Sequence, residues 1–226
     1  MAIDVFGKRV LNNLSEWIDP AIAAVVVVDM QNDFCHPKGA GALRGRDCTS
    51  ARAIIPNLVS LIASARSVGV PIFYCLNTQR PDGSLLSPAE IGRRMKKSGG
   101  DPLLWTIDGT WGHAVIDEIA PREGDFIVRK HRPSGFYQTD LEQLLRLTNR
   151  QSVIITGVGT RGCVESTARE AQLRDFYVLL PNDTTASQRP EWYAASFVLA
   201  PSLYHFTDSG AEITARWNAA KSATAA

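Results

Sequence analysis

Ser152-Val153-Ile154-Ile155-Thr156-Gly157-Val158-Gly159-Thr160-Arg161-Gly162-Cys163 is an apolar β-type run that feeds straight into a glycine-rich turn. The following stretch, Val164 to Ala171, is rich in helix formers. The segment therefore reads as strand, turn, helix, with a cysteine where the helix begins. A helix N-terminus carries partial positive charge and unpaired N–H groups. It can lower a thiol pKa from about 8.5 to between roughly 3.5 and 7.5, and its N–H groups can hold an oxyanion. Nucleophile and anion hole are thus expected in one turn.

Working outward, strand-like runs alternate with helical patterns. Ala24 to Val28 is almost pure valine, as expected of a strand buried on both faces of a parallel sheet. Ser50 to Val68 has apolar residues at helical spacing and a stop near Gly69. Pro71 to Leu76, Phe126 to Val128 and Phe176 to Leu180 complete the expected strands, with Leu203 to Phe206 as a sixth. Thr139-Asp140-Leu141-Glu142 has the form of a capping box opening a helix to Leu147. The alternation specifies an α/β fold of three layers, α/β/α, with a mainly parallel, six-stranded sheet. One domain over 1–226 is expected, with a short N-terminal extension (1–20) and a frayed tail (221–226). The long connection from Asn77 to Asp125, rich in Gly, Pro, Trp and charge, is expected to wall or cover a pocket.

Composition narrows the function. The 226 residues carry 24 basic and 23 acidic side chains in no long block, which argues against nucleic-acid or membrane-surface partners. No apolar stretch approaches a membrane span, and the N-terminus lacks the apolar core of a signal peptide. The four cysteines, Cys35, Cys48, Cys75 and Cys163, are then simplest as reduced thiols of a cytoplasmic protein. The histidines, His36, His113, His131 and His205, show no metal-ligand spacing, and no Cys-x-x-Cys occurs, so no metal and no cofactor is expected.

In parallel sheets ligands bind beyond the carboxyl ends of the strands. Three strand ends carry Asp29, Lys130 and Cys163. A carboxylate can take the thiol proton and later give it to a leaving amine, and a lysine holds that carboxylate ionised.

Val28-Asp29-Met30-Gln31-Asn32-Asp33-Phe34, Lys130 with Ser134-Gly135-Phe136, and Gly157 to Val164 resemble the isochorismatase-like cysteine hydrolase superfamily, from about Pro20 to Ser187. That superfamily includes nicotinamidases, N-carbamoylsarcosine amidases, and ureidoacrylate and biuret hydrolases. The resemblance implies an Asp29–Lys130–Cys163 triad. It also implies a cis Val158–Gly159 peptide and an oxyanion hole from the Gly159 and Cys163 N–H groups. The Asp-x-His cluster of metal-assisted nicotinamidases is missing after the second strand, where Asn77-Thr78-Gln79-Arg80-Pro81-Asp82 stands. Arg80-Pro81-Asp82 and Gly100-Asp101-Pro102 instead look like the ureido and biuret branch. Isochorismatases that cleave a vinyl ether lack the cysteine. The implied enzyme is a metal-independent amidohydrolase of a small carboxamide, ureido or N-carbamoyl compound.

Phe34, Phe136 and Tyr137 are expected to bound the substrate pocket, and Arg80, Arg132 or Arg161 to anchor a substrate carboxylate. Trp192, Tyr193, Phe197 and Tyr204 suggest an oligomer interface, a homo-dimer or tetramer. Two other readings compete. Gly157-x-Gly159-x-x-Gly162 with Asp183 after the next strand matches a dinucleotide fingerprint, though it lies far from the first βα turn. A catalytically silent interaction domain on the same fold is the other.

Overall fold

The computed structural model describes residues 2–100, 102 and 105–224. The chain opens with a small antiparallel hairpin, β1 (Ile3–Val5) and β2 (Lys8–Val10), and a single helical turn, α1 (Leu14–Trp17). Nothing in the alternation pattern announced this hairpin, because both strands lie on the surface with no buried face to impose a period.

The valine run forms β3 (Ala23–Val28), buried at every residue. Short helices α2 (Asn32–Cys35), α3 (Ala40–Leu43) and α4 (Thr49–Ala53) lead to α5 (Ile55–Ser67). The single helix expected over 50–68 is therefore two. Pro56 lacks the N–H that a continuous helix would use, so it sits in the first turn of α5, where that donor is not needed.

Next come β4 (Ile72–Asn77), α6 (Pro88–Ser98), β5 (Phe126–Lys130), α7 (Leu141–Leu147) and β6 (Ser152–Val158). The capping box before α7 does not form. Leu141 donates its N–H to Thr139 Oγ1, and Glu142 turns away to the Arg174 guanidinium at 2.9 Å. A π-type turn over Thr160–Val164 precedes α8 (Glu165–Leu173), β7 (Tyr177–Leu179), β8 (Thr185–Ala186), α9 (Pro190–Leu203) and α10 (Gly210–Thr224). Residues 221–224, expected to fray, continue α10, while 225 and 226 lie outside the described residues.

The main sheet has six strands in the order β5-β4-β3-β6-β7, with β8 also paired to β6, and all these pairings are parallel. The sixth strand is thus Thr185–Ala186 and not 203–206. Leu203 ends α9, and Phe206 makes only an isolated bridge to Leu179. Two apolar clusters cover the two faces: one around Leu58, Leu61, Ile62 and Trp217, the other around Val128, Leu145, Ala168 and Phe176. Burial on both sides explains why the central strands lack hydrophobic alternation. No described helix is long and apolar enough to cross a membrane.

Where β6 passes the end of β3, Gly157 adopts φ +108°, and a Cβ there would lie 2.0 Å from the Val28 carbonyl oxygen. Only glycine permits that approach, which sets the turn carrying Cys163 against the end of β3.

Candidate active site

Asp29 follows directly on β3 and holds a left-handed backbone, φ 56°, which aspartate tolerates better than most side chains. Its N–H donates to the Cys75 carbonyl at 2.9 Å, and its own carbonyl accepts from Gln31 N–H at 2.8 Å. These bonds fix the bend and aim the carboxylate across the strand ends. Oδ1 accepts the Asn77 N–H at 2.9 Å, and Oδ2 lies 2.9 Å from Lys130 Nζ.

Lys130 is the last residue of β5, in register with Asn77 of β4, and its side chain is fully buried. It reaches past the edge of β4 to the end of β3, as a long flexible stem can. Burial opposes its charge, but the Asp29 carboxylate and the Cys163 sulfur outweigh that and raise its pKa above the usual lysine value. Nζ also donates to the Arg132 carbonyl at 3.3 Å. The Cys163 thiol completes the group, close enough to Asp29 and Lys130 for both to act on its ionisation. The three strand ends therefore converge, as the sequence leads one to expect.

The thiol departs from expectation. Burial first, and then the Asp29 carboxylate, push Cys163 up to about 12, with Lys130 pulling the other way. The helix-terminus argument that favours a resting thiolate omitted both desolvation and a carboxylate beside the sulfur. Both causes favour the protonated sulfur, and Asp29 is placed to take its proton. Iodoacetamide should label Cys163 well ahead of the buried Cys35 and Cys75, at a rate climbing about tenfold per pH unit from pH 7 to 9. A plateau below pH 8 would show a thiolate formed at rest.

The oxyanion hole also differs. Among the described residues no peptide bond is cis, so Val158–Gly159 is trans. Gly159 N–H donates to the Ala186 carbonyl at 2.9 Å, which leaves the Cys163 N–H at the helix start as the expected donor that is not committed there.

Asp29 and Cys163 open into a cavity of about 290 Å³, at the small end of ligand pockets. Phe34 lines it and meets Trp105 edge-on at 5.6 Å between centroids. Arg161 also lines it. The other expected pocket residues lie elsewhere. Phe136 is buried in the second core cluster against Phe176, because the β5–α7 connection turns its ring under α8. Tyr137 is exposed beside a separate shallow depression. Arg80 is exposed and pairs loosely with Asp82 at 3.6 Å, while Arg132 donates to the Leu85 carbonyl. Asp101 of the Gly100-Asp101-Pro102 element lies outside the described residues.

Sequence reading missed Arg46, Arg93, Arg94, Trp105 and Trp192, all of which line the cavity. The 77–125 segment is indeed a wall, supplying Asn77, Arg93, Arg94 and Trp105. Asp33 ties that wall down: its carboxylate accepts from Ala40 N–H at 2.9 Å and Thr106 N–H at 2.6 Å. Gln31, fully buried, donates to the Asn77 and His113 carbonyls at 3.0 and 2.7 Å.

Residues 23–211, most of the chain, match the isochorismatase domain family. The chain belongs to that family. The family includes hydrolases acting on amide C–N bonds, and this isochorismatase-family protein is an enzyme of that class. Solved structures agree. A cysteine hydrolase from Pseudomonas syringae pv. phaseolicola 1448A superposes with TM-score 0.74 at 27% identity, over 89% of this chain and 95% of that one. N-carbamoylsarcosine amidase from Thermoplasma acidophilum gives 0.65 at 28% identity, covering 83% and 95%. Nicotinamidase/pyrazinamidase from Bacillus subtilis gives 0.70 over 83% and 99%, but at 22% identity it speaks to the fold alone.

The dinucleotide reading loses its footing. Asp183, the would-be ribose acid, accepts from Gly210 and Ala211 N–H and so caps α10. Of the aromatics expected at an interface, Trp192 lines the cavity, Tyr204 is buried, and Tyr193 and Phe197 pack on each other. The large exposed apolar side chains of α9 are Val198 and Leu199. Among the described residues no three His, Cys, Asp or Glu side chains gather as metal ligands.

Proposed function

We propose that this isochorismatase-family enzyme hydrolyses a small carboxamide, ureido or N-carbamoyl compound through a thioester on Cys163, releasing ammonia. The observation that carries this reading is the buried Asp29–Lys130 pair beside the Cys163 thiol, with Asp29 and Cys163 both lining a small cavity.

The chemistry follows from the neutral thiol. As Sγ attacks the carbonyl carbon, its proton passes to Asp29, so no free thiolate has to persist in a buried site. The tetrahedral oxyanion forms at the Cys163 N–H, where the helix start offers an oriented donor. Collapse breaks the C–N bond, and the nitrogen leaves as ammonia with the proton held by Asp29. Water then attacks the thioester, giving its proton to Asp29. Cleavage of the C–S bond releases the acid, and the proton returns to sulfur. Throughout, Lys130 holds Asp29 as the anion between transfers.

The kinship with a named N-carbamoylsarcosine amidase supports a ureido or N-carbamoyl substrate. The experiment is a panel of small amides and ureido compounds read by ammonia release, followed by acid quench and intact-protein mass spectrometry. A turned-over substrate should leave Cys163 carrying its acyl group, with loss of one NH₃ from the substrate mass. Turnover with the acyl group absent from Cys163, and no pre-steady-state burst of ammonia, would rule out the thioester.

A further inference from the structure

Two guanidiniums in the cavity wall, Arg46 and Arg161, are each stacked on a tryptophan yet meet no carboxylate among the described residues. The Arg161 carbon Cζ lies 3.7 Å from the Trp192 ring centroid, and that of Arg46 lies 3.8 Å from Trp105. Other arginines nearby differ. Arg93 and Arg94 both hold Glu90, at 2.6 and 2.8 Å. Stacking fixes the plane of a guanidinium and leaves its edge N–H groups pointing sideways, which is the pre-organisation that bidentate carboxylate binding uses. The tryptophans satisfy the faces of these forks and not their hydrogen bonds.

The charge around the cavity agrees. Four arginines line it against two acids, and Asp29 is already paired with Lys130 while Asp47 accepts the Thr49 N–H. Arg46 is half-buried, and burial together with the neighbouring Arg44 disfavours its charge. An anion would offset that. Ser187, in the same wall, is buried with its hydroxyl unpartnered among the described residues, a second polar group that a bound molecule would satisfy. Phe34, Trp105 and Trp192 add flat apolar surface to the same wall.

We infer that the substrate carries a carboxylate in addition to the amide it loses, and that Arg161 and Arg46 receive that carboxylate while Cys163 meets the amide. This rests on the amide-hydrolase reading above and names its substrate class: small monoamides or ureido derivatives of carboxylic acids. Arg46 and Arg161 act in binding and selectivity, away from the bonds that break.

The test compares isosteric pairs that differ only in charge: succinamate against 4-methylpentanamide, and N-carbamoylglycine against N-isobutylurea. The acid of at least one pair should have a kcat/KM at least tenfold above its neutral partner. Arg161→Met and Arg46→Met should each cut that ratio at least fivefold, mainly through KM, because binding common to ground and transition states is lost. Arg161→Lys should restore part of it, keeping the charge without the fork. Equal kcat/KM for acid and neutral partner, or ratios untouched by both Met variants, would overturn the inference and leave the hydrolase reading standing. Should no compound be turned over, calorimetry with the Cys163→Ser variant decides. Binding of succinamate but not 4-methylpentanamide, abolished by adding Arg161→Met, supports the carboxylate site, and equal or absent binding of the two overturns it.

Discussion

Cys163→Ala should lower kcat on any amide the enzyme turns over by about 10⁴-fold or more, with a melting temperature within a few degrees of wild type. The size follows from the proposed division of labour. Without sulfur there is no covalent step, and a site that has lost its nucleophile keeps only binding and whatever oxyanion stabilisation remains. The small change in stability follows from position, since Cys163 is half-buried at the cavity and the removed atom leaves space already continuous with it. Ammonia release and thermal melting measured side by side check both halves. An alanine variant within tenfold of wild type would move the chemistry to direct attack by water, with Asp29 as its base.

Lys130→Met should hurt differently, removing activity and stability together. The Lys130–Asp29 pair is sealed from water, at 0% and 3% side-chain exposure. Breaking a buried pair by removing one partner costs about 3–5 kcal/mol, because the other charge is left uncompensated. For a chain of this size that corresponds to roughly 6–20 °C in melting temperature. Adding Asp29→Asn should recover much of the loss, since a neutral amide can still accept the Asn77 N–H that Oδ1 now accepts. The double variant should stay inactive. Stability returning while activity does not is the signature of a charge kept for chemistry. A single variant as stable as wild type would mean that the pair contributes little to the fold.

The sheet and the meeting of Asp29, Lys130 and Cys163 at its strand ends were legible because they obey short-range rules. A valine run buried on both faces, and polar residues placed directly after strands, are visible in a line of text. Other features need the third dimension. Trp105, Trp192, Arg46 and Arg94 reach the cavity from segments far from Cys163, and no period or spacing connects them. Phe136 stands beside the Lys130 segment in sequence but turns into the core, so adjacency misled. The thiol was misjudged for a related reason. A helix start is local and readable, whereas desolvation and a facing carboxylate depend on how the sheet closes around the sulfur. Two-residue β8 is too short to leave any pattern, and the pairing of β6 alone reveals it.

Asp33 has no role in the proposed reaction, yet one carboxylate fastens both the turn at Ala40 and the wall at Thr106. The Gly112 backbone packs so closely against it that an added Cβ would lie 2.3 Å from Oδ1. Because the course of these two rim segments is pinned from beneath, their outward side chains are relieved of any duty to hold the rim in place. A lineage can therefore trade Arg46 or Trp105 for other residues and acquire a new diet while inheriting the same rim. Gly112, by contrast, cannot gain a side chain while Asp33 stays.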